Sequence, residues 1–322
     1  MTPGADVVVL EGVWGHSLEV LEQRLRVRRV EVEMHADQLA EVLDGARAVV
    51  IRNRTLVTRQ LLTGAPALQV IGRAGVGLDN IDVAAADELG VVVVAPMGAN
   101  AVSVAEHALG LALALARGLV PLDRQTRDGG WTRVPGRELT GGCWGVLGAG
   151  ATGRATARLA RGLGMRLAAY DPYVSPQDDE LASLGVRLMG LQDVARQADV
   201  ISCHLPATPE TLGVLDAAFF AAMRPGSFFV NVGRGEVVNE DALVEALTSG
   251  RLGGAALDVR ATEPPVPGRL EDLRNVLLTP HVAGITAESQ HRILHVLATD
   301  ISAVLSGGEA KHAVGTARTA RR

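Results

Sequence analysis

Short runs rich in Val, Ile, Leu and Ala recur along this chain, separated by stretches of helical pattern, and the alternation runs through it twice. Strands separated by helices build βαβ units, and such units build parallel sheets. The first series predicts strands at 7–10, 48–51, 68–71 and 91–94 and a weak one at 30–33, with helices at 17–26, 37–43 and 58–62. The second begins at Gly145, with strands at 145–147, 166–170, 200–204, 227–232, 254–257 and 276–279. Six such strands suit a dinucleotide-binding fold. The helix at 102–117 is apolar nearly all round, which calls for burial within the chain or at a subunit interface. The stretch 123–139, polar and containing Trp131, reads as a surface excursion. A last helix spans 286–305. The tail 307–322 has little to bury and is expected to be disordered.

A length of 322 residues favours two domains. With 48% hydrophobic but only 3% aromatic residues, the cores must be aliphatic, as in parallel strands flanked by alanine-rich helices. Of 31 basic residues, only Lys311 is a lysine. Schiff-base chemistry and a Walker-type nucleotide loop each need a lysine at the site, so both are excluded unless the tail folds into the core. A net charge of −5 gives no reason to expect nucleic acid or an anionic membrane as partner. Cys143 and Cys203 each lie in an apolar run and read as buried free thiols of a cytoplasmic protein. No basic-then-apolar leader is visible, and the longest apolar stretch, 108–116, is shorter than the ~20 residues of a membrane helix.

Gly148-Ala149-Gly150-Ala151-Thr152-Gly153 follows a predicted strand and opens a predicted helix. The first glycine allows a tight turn, the second a close approach to a pyrophosphate, and the third close helix packing. Asp171 ends the next strand, 18 residues past Gly153, where a ribose diol finds its acceptor. A carboxylate there repels a 2′-phosphate, and no arginine follows it directly, so NAD is expected rather than NADP. Three later strands end in charged residues: Arg234, then Asp258 and Glu263, then His281. Open α/β sheets bind ligands at such strand ends. Arginine can grip a carboxylate and polarise an adjacent carbonyl. Histidine can exchange a proton with a hydroxyl, and a neighbouring glutamate favours its imidazolium. Beside a nicotinamide, this set interconverts an alcohol and a ketone.

Several ordered motifs together resemble the D-isomer-specific 2-hydroxyacid dehydrogenases, and most of all their phosphoglycerate dehydrogenase branch. They are Gly72-Arg73-Ala74-Gly75-Val76-Gly77-Leu78-Asp79-Asn80, the glycine loop with Tyr170-Asp171-Pro172, His204-Leu205-Pro206, Asn231-Val232-Gly233-Arg234-Gly235, Ala256-Leu257-Asp258-Val259, Glu263-Pro264 and Thr279-Pro280-His281-Val282-Ala283-Gly284. The resemblance implies an α/β fold of two doubly wound parallel-sheet domains, Rossmann-like and flavodoxin-like. An NAD domain, 100–284, is inserted in a discontinuous substrate domain, 1–99 plus 285–322. It also implies a homodimer with the 102–117 helix in the interface. Arg234, Glu263 and His281 take the catalytic positions. Gly148, Gly150, Ala151, Thr152, Gly153, Asp171, Leu205, Pro206, Val232, Gly233, Arg234, Asp258, His281, Ala283 and Gly284 take cofactor positions, Asp258 meeting the carboxamide. Ala151 and Thr152 stand where Arg-Ile is frequent, so an arginine contact to the pyrophosphate is missing. Asn239 replaces a usual aspartate. Arg260 replaces a usual aromatic at the pocket edge. Regulatory domains follow this core in longer phosphoglycerate dehydrogenases, and none is expected here.

The family further implies that backbone amides of Gly75, Val76 and Gly77 help hold the substrate carboxylate, and that the far end of the substrate meets the loop Arg52-Asn53-Arg54-Thr55. Two arginines at a strand end could bind a second anion, so a small dianionic 2-hydroxy or 2-keto acid is expected. The 51–55 loop and the stretch 281–289 also resemble sulfolactate dehydrogenases. Alternatives are a neutral-side-chain hydroxy acid, or a non-catalytic NAD-sensing protein like the related corepressors. Formate dehydrogenase is disfavoured by Glu263, since it pairs histidine with glutamine. Alanine dehydrogenase is disfavoured by the missing lysine. His291 and His295 are four residues apart but lack the intervening glutamate of a zinc peptidase, and no metal is expected.

Overall fold

The computed structural model describes residues 5–13, 19–23, 25–30 and 36–321. The chain divides into two compact units, Met1–Asn100 with Ile285–Arg322, and Ala101–Gly284. In the first, β1 (Val7–Leu10), β2 (Val27–Val30), β3 (Ala48–Ile51), β4 (Val70–Arg73) and β5 (Val92–Val94) run parallel in the order β2-β1-β3-β4-β5. That is a flavodoxin-like order, with its switch point between β1 and β3. β1, β3, β4 and β5 are buried at every position, because helices cover both faces. Leu294, Leu297 and Ile301 of helix Ala287–Leu305 pack with Val7, Val50 and Val70 on one face. Leu62 and Ala85, from helices Arg59–Gly64 and Val83–Glu88, pack with Val8 and Ile71 on the other. Helix Ala287–Leu305 opens with a reciprocal Thr286/Ser289 capping box, which satisfies two of its end donors.

The second unit carries β6 (Cys143–Leu147), β7 (Arg166–Tyr170), β8 (Val186–Leu188), β9 (Val200–Cys203), β10 (Ser227–Asn231), β11 (Leu252–Leu257) and β12 (Val276–Leu278). All pair in parallel, in the order β8-β7-β6-β9-β10-β11-β12. This is the dinucleotide-binding order with one strand added, and its switch point lies between β6 and β9. Helix Ala101–Arg117 buries Val104, Ala108, Leu111 and Ala112 against this sheet and the helix Ala151–Gly162. Cys143 and Cys203 are buried and free. Among the described residues, no single helix is long and apolar enough to cross a membrane.

Four readings of the sequence are corrected. Strand β8 was not foreseen, so the second sheet has seven strands rather than six. Strand β2 lies at 27–30 instead of 30–33, and residues 31–33 fall outside the described residues, as do 17, 18 and 24 of the expected 17–26 helix, of which Glu19–Glu22 is helical. The excursion 123–139 begins inside a regular helix, Leu119–Arg127. The tail is ordered through backbone hydrogen bonds. Ala313–Val314 pairs antiparallel with β5, Asp87 accepts from Thr316 N and Ala317 N, and Arg321 N donates to Gly90 O. Composition shows the scarcity of apolar side chains but not this main-chain edge pairing. Lys311 is exposed on the tail.

Candidate active site

The glycine loop joins β6 to helix Ala151–Gly162, and each glycine there has a distinct reason. Gly148 turns the chain in a left-handed conformation, φ 91°. A Cβ on Gly150 would meet nothing within 4 Å, which leaves the helix start open. A Cβ on Gly153 would stand 2.0 Å from Gly148 O, so only glycine lets the helix sit this close to its loop. Gly150 caps the helix without a side-chain hydrogen bond, leaving first-turn N–H groups for an anion. Asp171 ends β7 and holds the loop, its Oδ2 accepting from Ala149 N at 2.8 Å and its Oδ1 from Tyr173 N at 2.9 Å. Each oxygen keeps acceptor capacity for a diol. Arg154 does not replace the missing loop arginine: its guanidinium forks onto Asp178 at 2.7 and 2.8 Å and reaches Glu180 at 3.1 Å. An open helix start, a close-packed loop and a strand-end carboxylate together fit a dinucleotide.

Across the switch point, the chain after β9 passes through His204, Leu205 and Pro206. A Cβ on Gly233 would lie 2.8 Å from Leu205 O, so this glycine lets the loops after β9 and β10 touch. His204 is half-buried, and desolvation pushes its imidazole down to about 3, so it is neutral and unsuited to proton exchange. Asn231 was quoted in a motif but not singled out, and it braces the turn: its Nδ2 donates to Arg234 O at 2.9 Å and its Oδ1 accepts from Gly233 N at 3.1 Å. Arg234 is half-buried, with one Nη1 bond to Gly233 O at 2.9 Å.

The structure brings Glu263 and His281 together, Oε2 to Nδ1 at 2.7 Å. A carboxylate only accepts, so Nδ1 carries the proton and Nε2 is the nitrogen left for exchange. Burial raises the Glu263 carboxyl, but the His281 hydrogen bond and charge, the Arg260 N–H and the Arg234 charge outweigh it and leave it below its ordinary value. His281 has a left-handed backbone, φ 53°. Such a conformation persists only where the surroundings over-determine it. Here Asp258 does so. Its carbonyl accepts from His281 N at 2.8 Å, its Oδ1 from Val282 N at 2.9 Å and Thr279 Oγ1 at 2.5 Å, and its Oδ2 from Ala283 N at 2.8 Å. His107 completes the cluster, with Nε2 3.1 Å from Thr279 Oγ1 and 3.5 Å from Asp258 Oδ1. Sequence reading missed Thr279 and His107. Thr279 had a signal, since it immediately precedes the Pro280-His281 pair; His107, 151 residues before Asp258, had none.

Arg260, the first departure, is held by two carboxylates, Glu240 at 2.9 and 2.8 Å and Glu271, and its side chain is only 11% exposed. Its N–H donates to Glu263 Oε1 at 3.1 Å. Asn239, the other departure, caps helix Glu240–Thr248 by accepting from Ala242 N, work that asparagine and aspartate do about equally. In this unit Asp258, Glu240, Glu263 and Glu271 all have carboxyls held below their ordinary values. Groups depressed in the folded state stabilise it above their unfolded pKa, and that stability is lost as pH falls through the folded values. Unfolding in acid is therefore expected below about pH 4.5. Arg260→Met removes the cation from Glu240 and Glu271 and should move the acid midpoint to higher pH. Circular dichroism against pH checks this, and an unmoved midpoint would show the ion cluster to be unimportant.

In the first unit, Arg52, Asn53 and Arg54 follow β3, at that sheet's switch point. In the glycine turn after β4, Ala74 N donates to Ile51 O and Gly75 N to Arg73 O, leaving Val76 and Gly77 as the amide donors for a ligand. A Cβ on Gly75 would lie 2.3 Å from Arg73 Nη1, so this glycine makes room for a guanidinium under the turn. His291 and His295 stack on an exposed helix face, and no group of three metal-ligating side chains occurs among the described residues.

Comparison with known proteins adds four findings. Residues 109–283 match the family model of the D-isomer specific 2-hydroxyacid dehydrogenase NAD-binding domain. The chain is 38% identical over 311 residues to D-3-phosphoglycerate dehydrogenase of Archaeoglobus fulgidus, covering 96% of this chain and 59% of that one. It is 40% identical over 303 residues to the protein of the same name from Mycobacterium tuberculosis, covering 94% and 57%. It thus spans a little over half the length of these curated relatives. The TT0316 protein of Thermus thermophilus has a crystal structure that superposes with a TM-score of 0.89 at 32% identity, covering 96% of this chain and 99% of that one.

Proposed function

Because this chain belongs to the D-isomer specific 2-hydroxyacid dehydrogenases and carries their NAD-binding domain, we propose that it interconverts a small, dianionic 2-hydroxy acid and its 2-keto acid. The observation that carries the reading is the Glu263–His281 pair at 2.7 Å, in segments that follow β11 and β12 of the sheet whose β6 leads into the glycine loop. Ala101–Gly284 is the NAD domain, and Met1–Asn100 with Ile285–Arg322 is the substrate domain.

Gly148, Gly150, Ala151, Thr152 and Gly153 would hold the pyrophosphate and Asp171 the ribose diol. Leu205, Pro206, Val232, Gly233, Ala283 and Gly284 would border the nicotinamide. Asp258 would use the remaining capacity of Oδ2 for the carboxamide. Bound NAD supplies the hydride acceptor or donor. Arg234 holds the substrate carboxylate and polarises the reacting carbon–oxygen bond. His281 Nε2 gives or takes the hydroxyl proton, and Glu263 stabilises the imidazolium that results. In the substrate domain, the amides of Val76 and Gly77 and the residues Arg52, Asn53 and Arg54 are assigned to the anionic ends of the substrate; the Gly75 amide, expected to join them, is taken by Arg73 O. Among dianions 3-phosphoglycerate is the first candidate, a choice supported by the name of the relatives.

The homodimer belongs to the same proposal. Helix Leu119–Arg127 buries none of its residues, and Trp131 just beyond it is 77% exposed, so this region is suited to being covered by a second copy. A cytoplasmic location is proposed with it. The test is an absorbance screen for NAD reduction, on protein whose solution mass is measured first. Its substrates are 3-phosphoglycerate, sulfolactate, malate, lactate and glycerate. Dianions should show the higher kcat/KM, with NAD used in preference to NADP. Tight NAD binding with no turnover of any hydroxy acid would sink the reading.

A further inference from the structure

Among the described residues, only two non-glycine residues have a left-handed backbone, His281 and Glu11, the latter at φ 67°. An outlier of this kind persists where the surroundings hold it, and it points to a function. His281 has one in the proposed site. Glu11 stands directly after β1, on the side of the switch point that faces the loop after β3.

The Glu11 side chain is 8% exposed, and its carboxylate is filled from a single four-residue loop. Oε1 accepts from Arg52 N at 3.1 Å, Thr55 N at 3.0 Å and Thr55 Oγ1 at 2.8 Å. Oε2 accepts from Arg54 N at 3.1 Å and lies 3.8 Å from Arg54 Nε. The loop is therefore wrapped around this carboxylate. From the other side, Asn80 Nδ2 donates to Arg52 O at 2.9 Å and Thr55 O at 2.7 Å. Arg52 Nη1 donates to Gly12 O at 3.2 Å, next to Glu11. Charge gives a second reason for a carboxylate here. Arg52 and Arg54 bring two like charges together, and Glu11 offsets one of them, so the loop keeps a net positive charge without a doubly charged cluster.

We propose that Glu11 is the positioning residue for the Arg52–Thr55 loop and thereby a determinant of specificity for a substrate carrying a second negative charge. This deepens the function proposed above and rests on its distal-anion reading. A glutamine of the same shape would set an amide N–H₂ against converging donors. The loop would then lose its anchor while the proton-transfer pair, in the other unit, is untouched.

The test compares Glu11→Gln and Glu11→Asp in the full chain. Hydrogen exchange at the amides of Arg52, Arg54 and Thr55 reads the loop without any catalysis. Glu11→Gln should speed exchange at these three amides, and Glu11→Asp should restore part of the protection. With a dianion such as malate or 3-phosphoglycerate, Glu11→Gln should raise KM by about tenfold or more while kcat changes by less than about threefold. KM for lactate should stay within about twofold. In an Arg52→Ala, Arg54→Ala background, Glu11→Gln should add no further loss for the dianion. Unchanged exchange, or an equal loss for dianion and monoanion, overturns the proposal. If the double arginine variant itself keeps the wild-type preference for dianions, the distal-anion reading fails, and the specificity role fails with it. The exchange data then still decide whether Glu11 shapes the loop.

Discussion

His281→Ala should lower kcat by about 10²–10⁴-fold, the range expected on loss of a positioned general acid or base. NAD affinity should stay within a few-fold, because the glycine loop and Asp171 are not in contact with the imidazole. The prediction is specific to Nε2, since Nδ1 is engaged by Glu263 at 2.7 Å. Glu263→Gln is the informative companion. It keeps the size of the side chain but removes the charge that favours the imidazolium, so its effect should fall between wild type and His281→Ala and should change with pH. Single-turnover kinetics with NADH and a 2-keto acid separate the chemical step from cofactor binding. Undiminished turnover in His281→Ala would remove His281 from the mechanism, and the Asp258 clamp around it would then need another explanation.

Gly235→Ala is expected to be the most damaging single methyl in the second unit. Its Cβ would lie 1.9 Å from Arg260 C, 2.0 Å from Arg260 O and 2.4 Å from Ala261 N. These are backbone atoms, and they cannot swing aside as a side chain could. The 260–261 segment is also pinned: Arg260 is held by Glu240 and Glu271, and Ala261 N donates to Glu240 Oε1 at 3.1 Å. Relief must come from moving the loop of Arg234 or the loop of Glu263. The cost should exceed about 3 kcal/mol, at the upper end for overpacking. Activity should fall with stability, because the displaced loops carry two of the three proposed catalytic residues. Urea unfolding followed by circular dichroism measures the loss. Gly162→Ala is the control, since a Cβ there meets nothing within 4 Å. A Gly235→Ala protein with wild-type stability would mean that the two loops are not rigidly packed.

Which elements were legible in the sequence follows from how each is buried. β1 and β3 are covered on both faces, so they appear as unbroken apolar runs, and β9 and β10, equally buried, are mostly apolar, with Ser202, Ser227 and Asn231 as their polar positions. β2 and β8 lie at sheet edges and read Val-Arg-Arg-Val and Val-Arg-Leu, with their arginines exposed. One was displaced by three residues and the other overlooked, because an edge strand is held by main-chain bonds to a single neighbour and needs little apolar surface. The tail strand was missed for the same reason. It is anchored by pairing with β5 and by its own backbone amides donating to the Asp87 carboxylate and to Gly90 O, which a hydrophobicity pattern cannot register.

The proposed site divides in the same way. A parallel sheet sends every strand's carboxyl end to one side, so Arg234, Asp258, Glu263 and His281 could be grouped from strand ends alone. The glycine loop was legible because its spacing is local. Which partner each charged group has was visible only in the packing. Arg234 and Arg260 are both loop arginines just past strand ends, yet Arg260 is tied to Glu240 and Glu271, 20 and 11 residues away in opposite directions. Asp258 was read as a cofactor contact, and most of its acceptor capacity serves the His281 loop. Glu11 gave no signal at all, since its partners lie 41 to 44 residues downstream. Sequence by itself determined the strands' order along the chain, the cofactor turn and the side of each sheet on which the chemistry gathers, because these depend on local periodicity and on the chirality of βαβ units. Tertiary structure alone decided which carboxylate clamps a loop and which accepts from a histidine ring, because a hydrogen-bond partner is chosen by proximity in space, and nothing in local spacing encodes that.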